Sequence, residues 1–261
     1  MDLHLKSKVF IVTGGSKGIG EGITRALAEE GAIPVIATRS PGVTEALVKE
    51  LKDQGMDAHY VLGDLSELEN CKKAVEETMA KYGRIDGIVN NAGINDGAGL
   101  EKGSPEAFRA SILKNLYHYY DLVYFALPHL KKSKGAIVNI SSKVALTGQG
   151  GTSGYAAAKG AQLALTREWA AELLPYSIRV NAILPAEVMT PLYRNWLDRT
   201  FSDPSAKEAE IVAKIPLEKR MTTAEEIAAT CVFLLSDRAS HTTGQFLIPD
   251  GGYVHLDRSL T

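Results

Sequence analysis

Tyr155 and Lys159 stand four apart in the run Tyr155-Ala-Ala-Ala-Lys159, a spacing that puts a phenol and an ammonium on one face of a helix. A cation that close stabilises phenolate, so the pair predicts a tyrosine whose pKa falls toward the working pH and which exchanges a proton with substrate. By itself the spacing also describes an ordinary helix face. Ser142, thirteen residues upstream at the end of an apolar run, adds a hydroxyl able to hold a reacting oxygen against Tyr155. The other chemical feature is the turn Thr13-Gly-Gly-Ser-Lys-Gly-Ile-Gly20. There Gly14, Gly18 and Gly20 leave the backbone bare for phosphate oxygens at a helix start, with Ser16, Lys17 and Ile19 as accompanying contacts. The spacing differs from GxGxxG, and a purely structural tight turn would look similar.

Apolar runs of about five residues alternate with longer amphipathic stretches, the signature of stacked βαβ units. Strands are expected at 9–13, 34–38, 59–62, 87–90, 136–140, 178–184 and 245–248. Helices are expected between them, including one long helix from about Glu106 to Leu130 and another around Glu225 to Leu235. Strands apolar throughout must be covered on both faces. The expected fold is α/β: a single doubly wound (Rossmann) domain over 1–261, with a seven-stranded, mostly parallel sheet and helices on both faces. The polar stretch Glu187 to Arg220, with Arg194, Trp196, Arg199 and Phe201, reads as a small lid over the carboxyl ends of the strands, where ligand crevices of such sheets lie. A surface hairpin without function is the alternative.

The glycine turn opens the first βαβ unit, the usual seat of a dinucleotide pyrophosphate. NAD sites commonly place a carboxylate at the end of the second strand, but here stand Thr38 and Arg39. With no acid to repel a 2′-phosphate, and with Arg39 and Lys17 able to approach it, NADP is favoured over NAD.

The 261 residues are 45% hydrophobic and 23% charged, and 29 Lys+Arg against 31 Asp+Glu leave a formal net charge of −2. That balance supplies no basic footprint for nucleic acid or an anionic membrane. No apolar run approaches the roughly 18 residues of a spanning helix, and MDLHLKSKVFIVTGG carries no signal-type segment. Cys71 and Cys231 are far apart and lack metal-ligand spacing, and the six histidines are scattered, so neither a disulfide framework nor a metal site is expected. A cytoplasmic protein is the natural reading.

Taken together, Thr13-Gly-x-x-x-Gly-x-Gly20, Asn90-Asn91-Ala92-Gly93, Ser142, Tyr155-x-x-x-Lys159, Pro185 and Asp250-Gly251-Gly252 resemble the short-chain dehydrogenase/reductase family over nearly the whole chain. The resemblance implies Tyr155 as catalytic base for alcohol oxidation, Lys159 also holding the nicotinamide ribose, and Asn115 positioning a relay water. It further implies Asp64 and Leu65 beside the adenine, Asn91, Ala92 and Gly93 along the cofactor, and Pro185, Val188 and Thr190 at the nicotinamide. It implies a homotetramer too, with Tyr117, Tyr119, Tyr120 and Tyr124 as core and interface, while His118 reads as packing or pocket wall. Where the family usually has Pro-Gly, this chain has Pro185-Ala186-Glu187.

A polar set around the expected pocket, Asn95, Asp96, Lys143, Gln149, Glu187 and Arg194, suits a substrate with several hydroxyls, alongside Ser142, Tyr155 and Trp196. Asn95-Asp96-Gly97, His118-Tyr119-Tyr120, Gly148-Gln149-Gly150 and the run from Pro185 to Trp196 are similar to the bacterial branch of the family that oxidises L-fucose. That likeness implies hydride transfer from C1 of an aldopyranose to NADP+, giving the 1,5-lactone. Two alternatives stand beside it: an NADPH-dependent 3-oxoacyl or other carbonyl reductase, and a non-catalytic dinucleotide-binding sensor or scaffold.

Overall fold

Val9–Thr13 (β1) is buried at all five positions, and its side chains alternate between the two large cores. Val9 and Ile11 join one, Phe10 and Val12 the other. Full burial of each such side chain contributes about 1.5–3 kcal/mol, so a strand that feeds both cores must lie mid-sheet. In the computed structural model, which describes residues 1–256, β1 is an interior strand, third in a sheet of seven. Residues 257–261 of the expected domain lie outside the described residues.

The others are Ile33–Thr38 (β2), His59–Leu62 (β3), Gly87–Asn90 (β4), Ala136–Ile140 (β5), Arg179–Ile183 (β6) and Phe246–Leu247 (β7). Their order is β3-β2-β1-β4-β5-β6-β7, and every pairing is parallel. One face is covered by Leu68–Tyr82 (α3), His118–Ser133 (α5) and Ser153–Glu172 (α6), through residues such as Val75, Leu122 and Trp169. Gly18–Glu29 (α1) and Ala224–Leu235 (α9) pack Ile23, Leu27 and Ile227 on the opposite face. Pro41–Asp53 (α2) closes the β2 side with Leu47 and Leu51. The chain leaves β1 toward β2 and returns on its other side at β4, so the strand order reverses between the carboxyl ends of β1 and β4 and opens a crevice there.

Three expectations are corrected. The long helix of residues 106–130 is instead Pro105–Ile112 (α4), a π-helical segment Leu113–Tyr117, and α5. A π turn accommodates one extra residue and frees backbone groups from the helical ladder, and Asn115 sits at its middle. β6 is Arg179–Ile183 rather than 178–184, and β7 is cut to two residues because it pairs with β6 only at Ala182 and Ile183.

The polar stretch after β6 forms a helical hairpin, Pro191–Thr200 (α7) and Pro204–Val212 (α8). Each starts on a proline and a side-chain cap: Thr190 Oγ1 accepts from Tyr193 N (3.2 Å) and Asp203 Oδ1 from Ala206 N (2.9 Å). Leu197 is the only buried residue of α7, and α8 has none. Among the described residues no helix is long and apolar enough to cross a membrane.

Candidate active site

Thr13, at the tip of β1, holds the crevice together. Its hydroxyl accepts from Asn91 N (2.8 Å) and Ala92 N (2.9 Å) and donates to Val89 O (3.3 Å). In return, Asn91 Nδ2 donates to Thr13 O (2.9 Å) and Gly14 O (3.3 Å), tying the glycine turn to the end of β4. Gly14 and Gly18 adopt φ of 63° and 54°, the left-handed region that glycine tolerates. Close approach is needed as well. A Cβ on Gly20 would lie 2.3 Å from Gly14 O, and one on Gly18 3.0 Å from the Thr190 side chain.

A cleft of about 480 Å³ runs from this turn across the carboxyl ends of the strands. Ser16, Lys17, Gly18, Ile19 and Gly20 line it at the start of α1, where unpaired backbone N–H groups favour an anion. Thr38 and Arg39 border it at the end of β2, with Asp64 and Leu65 alongside. Asn91, Ala92 and Gly93 form its middle, and Pro185, Val188 and Thr190 its inner wall. Every residue expected to touch a dinucleotide thus lines one continuous cleft. A bare-backbone turn at a helix start, with Arg39 and Lys17 at the outer end, fits a phosphate-bearing dinucleotide. Arg39 Nη1 bonds Asp64 Oδ2 (3.3 Å), and the Asp64 carboxyl is held below its ordinary value chiefly by the Ser66 N–H and hydroxyl.

At the inner end lie Ser142, Tyr155 and Lys159. Ser142 follows β5 and caps the short turn Lys143–Ala145, accepting from Val144 N (3.4 Å), while Tyr155 and Lys159 share one face of α6. The Lys159 ammonium sits 5.5 Å from the Tyr155 ring centroid. Burial lowers Lys159 to about 7. It also pushes the Tyr155 phenol up to about 12, against a hydrogen bond from Ser142 that acts the other way. Spacing alone predicts a lowered value; in the folded chain burial acts in the opposite direction and dominates, with Ser142 the group that lowers it.

Asn115 is buried just behind these groups. Its Oδ1 accepts from Ile94 N (2.7 Å), its Nδ2 donates to Ser111 O (2.9 Å), and its main-chain oxygen, released by the π segment, accepts from Gln162 Nε2 (2.7 Å). His118 lines the cleft with Nε2 3.1 Å from Ala92 O, and burial lowers it to about 4, so it is neutral at working pH.

Of the polar substrate set, only Ser142 and Tyr155 line the cleft. Asn95, Asp96 and Gln149 are exposed on nearby loops, Asp96 accepting from Ser111 Oγ (2.8 Å). Arg194 pairs with Glu208 of α8 (2.6 Å), and Trp196 packs edge-on against Tyr193 and Phe201. Lys143 and Glu187 are ion-paired with each other, the ammonium lying 4.3 Å from the Tyr253 ring centroid. Tyr193 of α7 donates to the same carboxylate (2.7 Å). The Tyr193 phenol is pushed far up by burial and by the Glu187 charge. From the sequence, Thr13 is only the first residue of the glycine-turn motif and Tyr119 only one of four tyrosines read as core and interface, neither with a part in the site, and Gln162 is not marked at all. A threonine closing an apolar strand beside a glycine turn was the one available signal; the others occupy helix positions that read as core.

The family model described as "Enoyl-(Acyl carrier protein) reductase" matches residues 14–254. The chain is 40% identical over 253 residues to an L-fucose dehydrogenase from Bos taurus, covering 97% of this chain and 91% of that protein. It is 37% identical over 254 residues to the 3-oxoacyl-[acyl-carrier-protein] reductase FabG of Thermotoga maritima, covering 97% of this chain and all of that one (100%). Among solved structures, the Cj0485 dehydrogenase superposes with a TM-score of 0.94 at 50% identity, covering 100% of this chain and 99% of that one.

Proposed function

The chain belongs to the short-chain dehydrogenase/reductase family of NAD(P)-binding CH–OH oxidoreductases, and from that premise we propose that it oxidises the C1 hydroxyl of an aldopyranose, L-fucose foremost, to the 1,5-lactone with NADP+. The observation that carries the reading is the meeting of Ser142, Tyr155 and Lys159 at the inner end of a cleft whose outer end bears Arg39 and Lys17. L-fucose is favoured by the likeness to L-fucose dehydrogenase, and NADP by the absence of an acid at the end of β2.

A nicotinamide dinucleotide held by Gly14, Gly18, Gly20, Asn91 and Lys159 would supply the hydride acceptor. The chain's own residues do the rest. Ser142 donates to the C1 oxygen and fixes it against Tyr155. Tyr155 takes the hydroxyl proton as the C1–H bond breaks. Lys159, in its charged form, favours the phenolate and so works against the desolvation that holds Tyr155 high. Asn115, anchored through Ile94 and Ser111, keeps the floor behind Lys159 rigid, and Asn91 with Ala92 and Gly93 keeps the middle of the cleft open. The 187–220 hairpin serves as a lid, with Asn95 and Gln149 on facing loops as the first candidates for ring-hydroxyl contacts. The exposed Tyr117, Tyr120 and Tyr124 suit an interface of a homotetramer. Two buried thiols without a disulfide suit the cytoplasm.

A panel of aldoses assayed with NADP+, beside acetoacetyl thioester reduction with NADPH, tests the reading. L-fucose, with L-galactose and D-arabinose behind it, is expected to outpace the thioester. Faster thioester reduction would make the chain a 3-oxoacyl reductase instead, and a protein that binds NADP+ but turns over nothing would make it a sensor.

A further inference from the structure

Tyr119 is the largest fully buried side chain among the described residues, yet it carries a hydroxyl, and that hydroxyl lies inside the catalytic cluster. Its Oη donates to Ile140 O at 3.0 Å. Lys159 Nζ donates to the same carbonyl at 2.7 Å and to Tyr119 Oη at 3.3 Å. The ammonium stands 5.6 Å from the Tyr119 ring centroid and 5.5 Å from that of Tyr155, between two phenols.

We propose that Tyr119 is a positioning residue for the reaction, its phenol oxygen holding the Lys159 ammonium in place beneath Tyr155. The proposal rests on the reading of Tyr155 and Lys159 as acid–base machinery. A phenol has one proton, and here it points at Ile140 O, so the oxygen's lone pairs are what face Lys159. Ile140 O would be satisfied by Lys159 alone, and a phenylalanine would fill the same volume without burying a hydroxyl. What the hydroxyl alone adds is a second acceptor for a buried cation. Two acceptors fix two of the three ammonium N–H bonds and leave the third for the cleft that Lys159 lines.

The titratable groups facing Lys159 are Tyr155 on its own helix, and Tyr119 and neutral His118 on α5, with Gln162 beside the Tyr119 phenol. None supplies a negative charge, so the ammonium depends on neutral acceptors. Removing one favours the uncharged amine, and activity that needs the ammonium is then lost at a lower pH than before.

The test is Tyr119→Phe in the full-length protein. It is read by NMR titration of the 13C-labelled Lys159 ε-methylene and by kcat against pH with NADP+ and L-fucose. Both the lysine titration and the alkaline limb of kcat are expected to move acidwards by about one pH unit, roughly tenfold in turnover on that limb, with KM for the sugar unchanged. Unmoved titration and limb would make Tyr119 packing only and overturn the proposal. Should Tyr119→Phe not fold, 3-fluorotyrosine at position 119 keeps the volume and weakens the acceptor; a smaller shift in the same direction supports the proposal, and no shift overturns it. Tyr155→Phe, run in parallel, separates the two readings. Turnover surviving in that variant would remove Tyr155 as the base, while the lysine titration would still decide the role of Tyr119.

Discussion

Replacing Arg39 by alanine tests the cofactor assignment at one side chain. In the structure the guanidinium makes a single 3.3 Å contact with Asp64, the two side chains being 65% and 47% exposed. Pairs that open to water are worth about 0.2–1 kcal/mol, so giving this one up for a ligand costs little. A hydrogen bond to a charged phosphate contributes about 1.5–3 kcal/mol, and a unit charge 4 Å away about 1–4 kcal/mol between water and a protein surface. Net of the Asp64 contact, Arg39 is worth about 1.5–3 kcal/mol to a 2′-phosphate, a factor of roughly 10 to 150. Steady-state kinetics with both cofactors should therefore show kcat/KM for NADP+ falling by that factor in Arg39→Ala, and the value for NAD+ changing less than about threefold. Lys17 keeps some preference in the variant. In the wild type the preference should shrink with added salt, as the screening length falls from about 10 Å at 0.1 M to about 3 Å at 1 M. An equal loss with both cofactors would mean that Arg39 serves a part they share. No loss would make it a bystander and leave NADP without its main support.

Gly18→Ala must adopt a φ of 54°, costing about 1–2 kcal/mol, and its Cβ meets the Thr190 side chain at 3.0 Å. A roughly tenfold rise in KM for the dinucleotide and a fall of a few degrees in melting temperature are expected; kinetics and calorimetry identical to wild type would refute the close approach of α1 to α7. His118 sits at about 4 when folded against an ordinary 6.5, so below about pH 6.5 the unfolded chain binds the extra proton and stability falls with pH. Denaturant titrations at pH 7 and pH 5 should differ by roughly 2 kcal/mol on this account, and His118→Asn should lose that share of the difference. An undiminished difference in the variant would clear His118.

The scaffold was legible because its signals are local. An apolar run such as Val9 to Val12 must be a buried strand, and a glycine turn directly after it must open the first helix. The clustering of Ser142, Tyr155 and Lys159 was legible because a strand end and a helix face position them. The π segment was not. Apolar residues continue across Leu113–Tyr117 without a breaker, and one inserted residue leaves no mark on a periodic pattern. Nor was side-chain direction on loops and at helix caps. Glu187 and Lys143, equally suited on paper to a sugar hydroxyl, satisfy each other, and Arg194 reaches back to Glu208. Tyr119 was hidden among four tyrosines within eight residues, of which it alone points inward.

The hairpin of α7 and α8 hangs on very little: one buried leucine in the first helix and nothing buried in the second. Surface substitutions away from special features usually change stability by less than about 0.5 kcal/mol. The hairpin proposed as the lid can therefore change at its exposed positions with little effect on folding, while β1, β5 and α6, which hold the reactive groups, cannot. Substrate choice in such a molecule drifts at little risk to folding, and the chemistry stays where it is.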